Sequence, residues 1–206
     1  MARAHTGRLA RALAVTAAIA ACGVSACSPL GIGLGAGAAA GVVIAQERSA
    51  EEAARDATID VEINNALFQA HIDKLFREVN VDVMEGRVML TGTVANQDLV
   101  DQAARIAWAT DGVRQVLNEV RVGDDTAVDS LRDRWITSKL RADMLTDKEI
   151  YDVNYAITTV GGSIYILGIA QDQAELNRVK AYARNIEGVR RVVTHVVMKD
   201  DPSRPK

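Results

Sequence analysis

Two hydrophobic periods alternate along the chain, and the same alternation then occurs a second time. Ile59, Ile63, Ala66, Leu67 and Ala70 recur at helical spacing. Val79, Val81 and Val83 then alternate with polar residues, Glu85-Gly86 turns the chain, and Val88, Leu90 and Val94 alternate back. That pattern predicts a β-hairpin with one buried face. Asn96 is a good N-cap for a second helix, with Leu99 closing its first turn. Val100, Ala103, Ala107 and Thr110 form the inner stripe of that helix. Asp111-Gly112 ends it, because glycine accepts the left-handed cap conformation at little cost. Val113 to Val122 completes the unit as a strand.

A shift of 76 residues lays this pattern on itself. Gly86, Gly92 and Gly112 fall on Gly162, Gly168 and Gly188. Val81, Val88, Leu90 and Val113 fall on Ile157, Ile164, Ile166 and Val189. In the first helix the expected offset is 73, matching Ile63 with Ile136 and Leu67 with Leu140. The second helix of copy two carries Leu176, Val179, Ala183 and Ile186, Glu187-Gly188 stops it, and Val189 to Met198 is the last strand. The fold class is therefore α+β, with two tandem αββαβ units. Each buries its faces as a three-stranded sheet covered on one side by two helices. The expected bounds are 57–123 and 126–199, with a polar tail at 200–206. Whether the units pack together or swing on Gly123-Asp124-Asp125 is left open.

The first 56 residues read differently. Arg3, Arg8 and Arg11 precede an apolar run from Ala12 to Ala21 that is too short for a permanent membrane span. Val24-Ser25-Ala26-Cys27 follows, with small residues before a cysteine, as bacterial lipoprotein processing requires. Residues 1–26 are read as a lipoprotein signal peptide and Cys27 as the acylated residue. Ile19-Ala20-Ala21-Cys22 also fits, but acylation there would leave a second free thiol. Ser28 follows Cys27, where the inner-membrane retention signal of enteric bacteria is Asp, so export to the outer membrane is favoured. Residues 27–56 form a Gly/Ala-rich tether and a charged lead-in. Gly33, Gly37 and Gly41 recur every four residues, the small-residue spacing of close helix packing in membranes, although the glycines disfavour helix.

Charge narrows the function. The 206 residues carry 24 basic and 27 acidic side chains, and loss of the three leader arginines leaves the mature chain more acidic. A nucleic-acid binder would carry a basic excess. Both cysteines lie in the processing region, so no disulfide holds the fold. His5, His71 and His195 have no metal-ligand spacing, and there is no phosphate loop or catalytic triad pattern. The residues point to no enzyme, no cofactor, no metal and no small-molecule substrate.

The αββαβ order, the glycine within VMLTGTV (Val88 to Val94) and IYILGIA (Ile164 to Ala170), and the DGV/EGV step before a valine-rich strand resemble BON domains. Two such units behind a lipobox are similar to dual-BON-domain outer-membrane lipoproteins of the DolP type. Soluble relatives of the OsmY type lack the lipid anchor. The resemblance implies a non-enzymatic, periplasm-facing envelope protein that binds anionic phospholipid and supports outer-membrane integrity. The alternative is a periplasmic scaffold or stress chaperone that binds envelope proteins.

Trp135 is the leading site residue. In the 73-residue register it aligns with Glu62, on the polar side of the helix, which predicts partial exposure. Arg132, Arg134, Lys139 and Arg141 surround it, with Met144 and Leu145 expected in the following loop. An amphipathic ring among cations suits the headgroup level of an anionic bilayer. The run Trp135-Ile136-Thr137-Ser138-Lys139 is similar to a W-I-T-x-K run in the resembling lipoproteins, where it is the lipid-contacting element. The candidate lipid-binding set is Trp135, Arg132, Lys139, Ile136, Arg141 and Met144. Packing of Trp135 against the other domain is the competing assignment. Trp108 lies roughly 120° from its helix's inner stripe and is assigned to the seal between domains.

Overall fold

The computed structural model describes residues 46–123 and 127–205. The leader, Cys22, Cys27 and the Gly33/Gly37/Gly41 segment lie outside the described residues. The first unit runs α1 (Ala50–Ala70), β1 (Val79–Met84), β2 (Arg87–Val94), α2 (Gln97–Ala109) and β3 (Gln115–Val122). The second runs α3 (Ala127–Thr146), β4 (Tyr155–Val160), β5 (Ser163–Ala170), α4 (Gln173–Asn185) and β6 (Arg191–Met198). A π-helical turn, Ile72–Phe76, follows α1, and a 3-10 turn, Asp152–Asn154, precedes β4.

α1 begins at Ala50, seven residues before the sequence expectation, because Ser49 and Glu52 form a capping box. The Ser49 hydroxyl accepts from the Glu52 amide at 3.1 Å, and the Glu52 carboxylate accepts from the Ser49 amide at 2.9 Å. Asn96 caps α2 through the Leu99 amide, and Asp172 caps α4 through the Glu175 amide. Each hairpin pairs antiparallel, and the third strand returns parallel to the second, so β2 and β5 are the central strands. The helices cover one face of each sheet. Ile63, Leu67, Val88, Leu90 and Ala103 lie in one core, and Ile136, Leu140, Ile164, Ile166 and Val179 in the other.

Each hairpin turn is held by a carboxylate from the helix before it. Asp56 accepts the amides of Glu85 and Gly86 at 2.8 and 2.9 Å. Asp133 accepts those of Gly161 and Gly162 at 2.6 and 2.8 Å. All four turn residues have positive φ, as a tight hairpin turn of this kind requires. The equivalence of Asp56 and Asp133 corrects the register of the first helix. The true offset there is 77, matching Ile59, Ile63 and Leu67 with Ile136, Leu140 and Met144. The expected 73 is one helical turn away. A slip of four residues keeps an apolar stripe on itself, so periodicity alone does not detect it.

The second face of each sheet is covered by the other sheet. Met84, Met89, Val160, Tyr165, Leu167 and Ile169 form a third buried cluster between them. Three pairs within or packed against this cluster, Met84 and Val160, Met89 and Tyr165, and Leu117 and Val193, are counterparts in the repeat. Two polar contacts join counterparts directly. Thr158 donates to Asp82 at 2.8 Å, and His195 Nε2 lies 2.9 Å from Glu119 Oε1. A residue can meet its own counterpart only near the axis that exchanges the copies, so the units pack about a local two-fold. Arg87 and Arg121 seal the flanks by donating to the His195 and Val160 carbonyls.

The residues assigned to a polar tail fold back on the first unit. Arg204 grips the buried Glu85 carboxylate through Nε at 3.1 Å and Nη2 at 2.7 Å, and donates to the Glu47 carbonyl at 2.8 Å. Glu47 also donates its amide to Asn154. The chain's lead-in and its end are thus fastened to each other.

Replacing Asp56 or Asp133 by Ala leaves two buried amides without an acceptor. Urea unfolding should show each variant destabilised by about 3 kcal/mol. The interface adds a pH dependence. Burial raises the Asp82 carboxyl above its ordinary 3.8, opposed by the Thr158 hydrogen bond and the Arg141 charge. Burial and the Asp82 charge raise Asp60 in the same direction. A folded value above the unfolded one gives stability that is full below 3.8 and lost as pH rises through the raised value. Asp82→Asn should therefore gain on the wild type as urea titrations move from about pH 4 to about pH 8. A difference that stays flat across that range would exclude Asp82 as the source.

Candidate functional site

α3 is apolar on two opposite faces. Asp133, Ile136, Leu140 and Met144 point inward, and all four are buried. On a helical wheel Leu131, Trp135, Ser138, Ala142 and Leu145 lie about 180° away. Leu131 is 66% exposed, Trp135 52% and Leu145 72%. Cations line both sides of this outer stripe at roughly 80° from its centre, Arg132 and Lys139 on one side and Arg134 and Arg141 on the other. All four are exposed.

The local fold fixes this display. Asp133 is tied to the β4–β5 turn, and the Thr137 hydroxyl meets that of Thr159 at 2.7 Å. These contacts set the rotation of α3, so the Trp135 side of the helix must face outward. Lys139 pairs with Asp143 one turn on. Arg141 reaches the Ile157 carbonyl at 3.5 Å. The Arg132 guanidinium lies over Gly188, closer than a Cβ at that position would allow.

Of the expected lipid-binding set, Trp135, Arg132, Lys139 and Arg141 share this outer surface. Ile136 and Met144 do not reach it, because both are fully buried in the core of the second unit. The expectation for Met144 fails because α3 continues to Thr146, so Met144 takes the inward position that Leu67 holds in α1. Leu131, Ala142 and Leu145 take their places on the stripe. In the corrected register Trp135 corresponds to Thr58, which is also exposed, and not to Glu62. Trp108 is 56% exposed and takes no part in the cluster between the sheets, so it does not seal them. The signal for the missed residues was the i, i+4, i+7, i+11, i+14 spacing through Trp135. It was hidden because two apolar faces on opposite sides cancel the amphipathic signature that a single face would give.

The BON domain model matches residues 55–124 and 132–200. The chain belongs to the BON-domain family. The two BON matches start 77 residues apart, the offset that Asp56 and Asp133 impose. The chain is 42% identical over 146 residues to an uncharacterized protein in the gshII 5′ region of Anaplasma centrale, covering 70% of this chain and 95% of that one. It is 28% identical over 153 residues to the outer membrane lipoprotein DolP of Haemophilus influenzae, covering 73% and 78%. To the osmotically-inducible protein Y of Escherichia coli it is 24% identical over 140 residues, covering 66% and 69%. This BON-domain protein is thus related to envelope proteins, and the matching family is not an enzyme family. Among the described residues no helix is long and apolar enough to cross a membrane.

The two faces of α3 should respond oppositely to truncation. Ile136→Ala and Met144→Ala should each cost about 2–5 kcal/mol in urea unfolding. Leu131→Ala and Leu145→Ala should stay within about 0.5 kcal/mol of the wild type.

Proposed function

We propose that this is a lipid-anchored envelope protein whose second BON domain binds anionic phospholipid through the outer face of α3. The observation that carries this reading is the exposed apolar stripe through Trp135, flanked by a row of cations on each side. A helix lying in the bilayer interface needs this geometry, with apolar side chains below the headgroups and cations at their level. Cys27 is proposed as the acylated residue, with the protein on the outer membrane facing the periplasm and supporting membrane integrity. One acyl anchor and one weak surface contact strengthen each other through effective concentration.

A second reading rests on a different surface. The first BON domain exposes Phe68, Ile72 and Phe76 beside Lys74, Arg77, Asp73 and Glu78, a rim of no net charge. Phe68 and Phe76 pack edge to face at 5.4 Å. A neutral aromatic patch suits an envelope-protein partner better than an anionic membrane.

Binding of unacylated protein (residues 28–206) to vesicles separates the two. Anionic vesicles should bind it, zwitterionic ones should not, and added salt should weaken the contact. Trp135→Glu should abolish binding while leaving the unfolding transition in place. Absence of wild-type binding to anionic vesicles would reject lipid recognition and favour the protein-partner reading.

A further inference from the structure

A local two-fold gives every site between the domains a counterpart on the other side of the axis. On one side that site is filled by the chain itself. The Glu47 amide donates to Asn154 Oδ1 of the second domain at 2.9 Å, and the next side chain, Arg48, donates to Asp56 Oδ2 of the first at 2.8 Å. Arg204 closes over the Glu47 carbonyl. On the other side the counterparts of Asn154 and Asp56 are Glu78 and Asp133, and both line an open groove of about 690 Å³ between α3 and the β1 edge. We propose that this groove binds an extended peptide segment of a partner protein, one that carries an arginine or lysine next to an acidic residue. The proposal adds a peptide site to the membrane reading and does not depend on it.

The equivalence of the two sites is geometric. Asn154 and Glu78 each precede the first strand of a hairpin, and the carbonyl of each comes close to the facing glycine, Gly168 or Gly92. Asp56 and Asp133 each accept two turn amides. They differ in one partner. Asp56 also holds the Arg48 guanidinium, whereas among the described residues no cation pairs with Asp133. Both carboxylates are more than nine-tenths buried, with Asp56 3% and Asp133 7% exposed. An ionised carboxylate has about four acceptor positions, so two amides leave room for a guanidinium or ammonium group. The charges of the groove select the rest of the ligand. Glu78 and Asp133 stand with Arg77 and Arg134, and Arg77 is shared with Asp73. A balanced wall gives no preference to a ligand of one sign and matches a segment bearing both, as Glu47-Arg48 does. Asn80, Thr137 and Ser138 add polar side chains for main-chain groups. The chain does not supply this occupant. Residues 28–45 carry no charged side chain, and the lead-in of a second copy is held in its own seat by Asn154 and Asp56.

The test titrates isotope-labelled unacylated protein (residues 28–206) with an acetylated and amidated copy of the lead-in, AQERSA (Ala45 to Ala50). At millimolar peptide the amide resonances of Gly161 and Gly162, which report on Asp133, and of Glu78 should shift and saturate. The same peptide with alanine in place of arginine should bind about tenfold more weakly, the scale of a lost charge-assisted hydrogen bond. Glu78→Ala, a change at an exposed residue, should weaken binding of the intact peptide and leave the unfolding transition in place. Shifts confined to Glu85 and Gly86 would mean that the peptide only displaces the lead-in from its own seat, and would overturn the open groove as a site. Equal binding of the alanine peptide would overturn Asp133 as the partner of a cation, and unchanged affinity in Glu78→Ala would overturn Glu78 as the seat of the main chain. Absence of any saturable shift would overturn peptide recognition. None of these outcomes bears on vesicle binding, which Trp135→Glu tests separately.

Discussion

A three-stranded sheet has two faces, and two helices can cover only one of them. The structure follows from this constraint. Each BON unit buries a helix-covered core, and its second sheet face, carrying Met84 and Met89 in one copy and Tyr165, Leu167 and Ile169 in the other, would otherwise meet water. The sister sheet covers it, so the duplication supplies each unit with its missing layer. The resulting interface is isologous, and the polar contacts between Asp82 and Thr158 and between Glu119 and His195 are made by counterparts across the axis. The domains therefore pack together and do not swing on the junction near Gly123.

The interface also explains which residues are available for function. With both sheet faces occupied, each domain can offer only helices, strand edges and turns. α3 offers the most, because its inner face is fixed by Asp133 and the Thr137–Thr159 contact while its outer face is exposed among the described residues. The equivalent helix α1 exposes Val61 and Phe68 among mixed charges and has no basic rows. The two copies thus share a fold and differ in the surface they present. The buried positions of the two copies stay in register, while α1 and α3 differ in their exposed ones.

Much of the candidate site was legible in the sequence, but its depth was not. Trp135 stood out because its surroundings are basic, and exposure follows whether it is aligned with Glu62 or with Thr58. Ile136 and Met144 were drawn into the site by proximity along the chain. Neighbours on a helix differ by about 100° in direction, so closeness in sequence carries no information about which face a residue joins. Leu131 and Leu145 lie four and ten positions from Trp135 and share its face.

The sequence by itself determined the αββαβ order, the strand and helix periods, the glycine stops and the duplication. These depend on spacing along one chain, which hydrophobic pattern and backbone preference dictate locally. Tertiary structure decided the helical register, the two-fold packing of the sheets and the return of Arg204 to Glu85. It also decided that α3 turns its second apolar face outward. A four-residue slip on a helix, or the choice of partner for an apolar sheet face, changes no local pattern. Such alternatives are separated only by which carboxylate reaches which turn, and by which surface another part of the chain can cover.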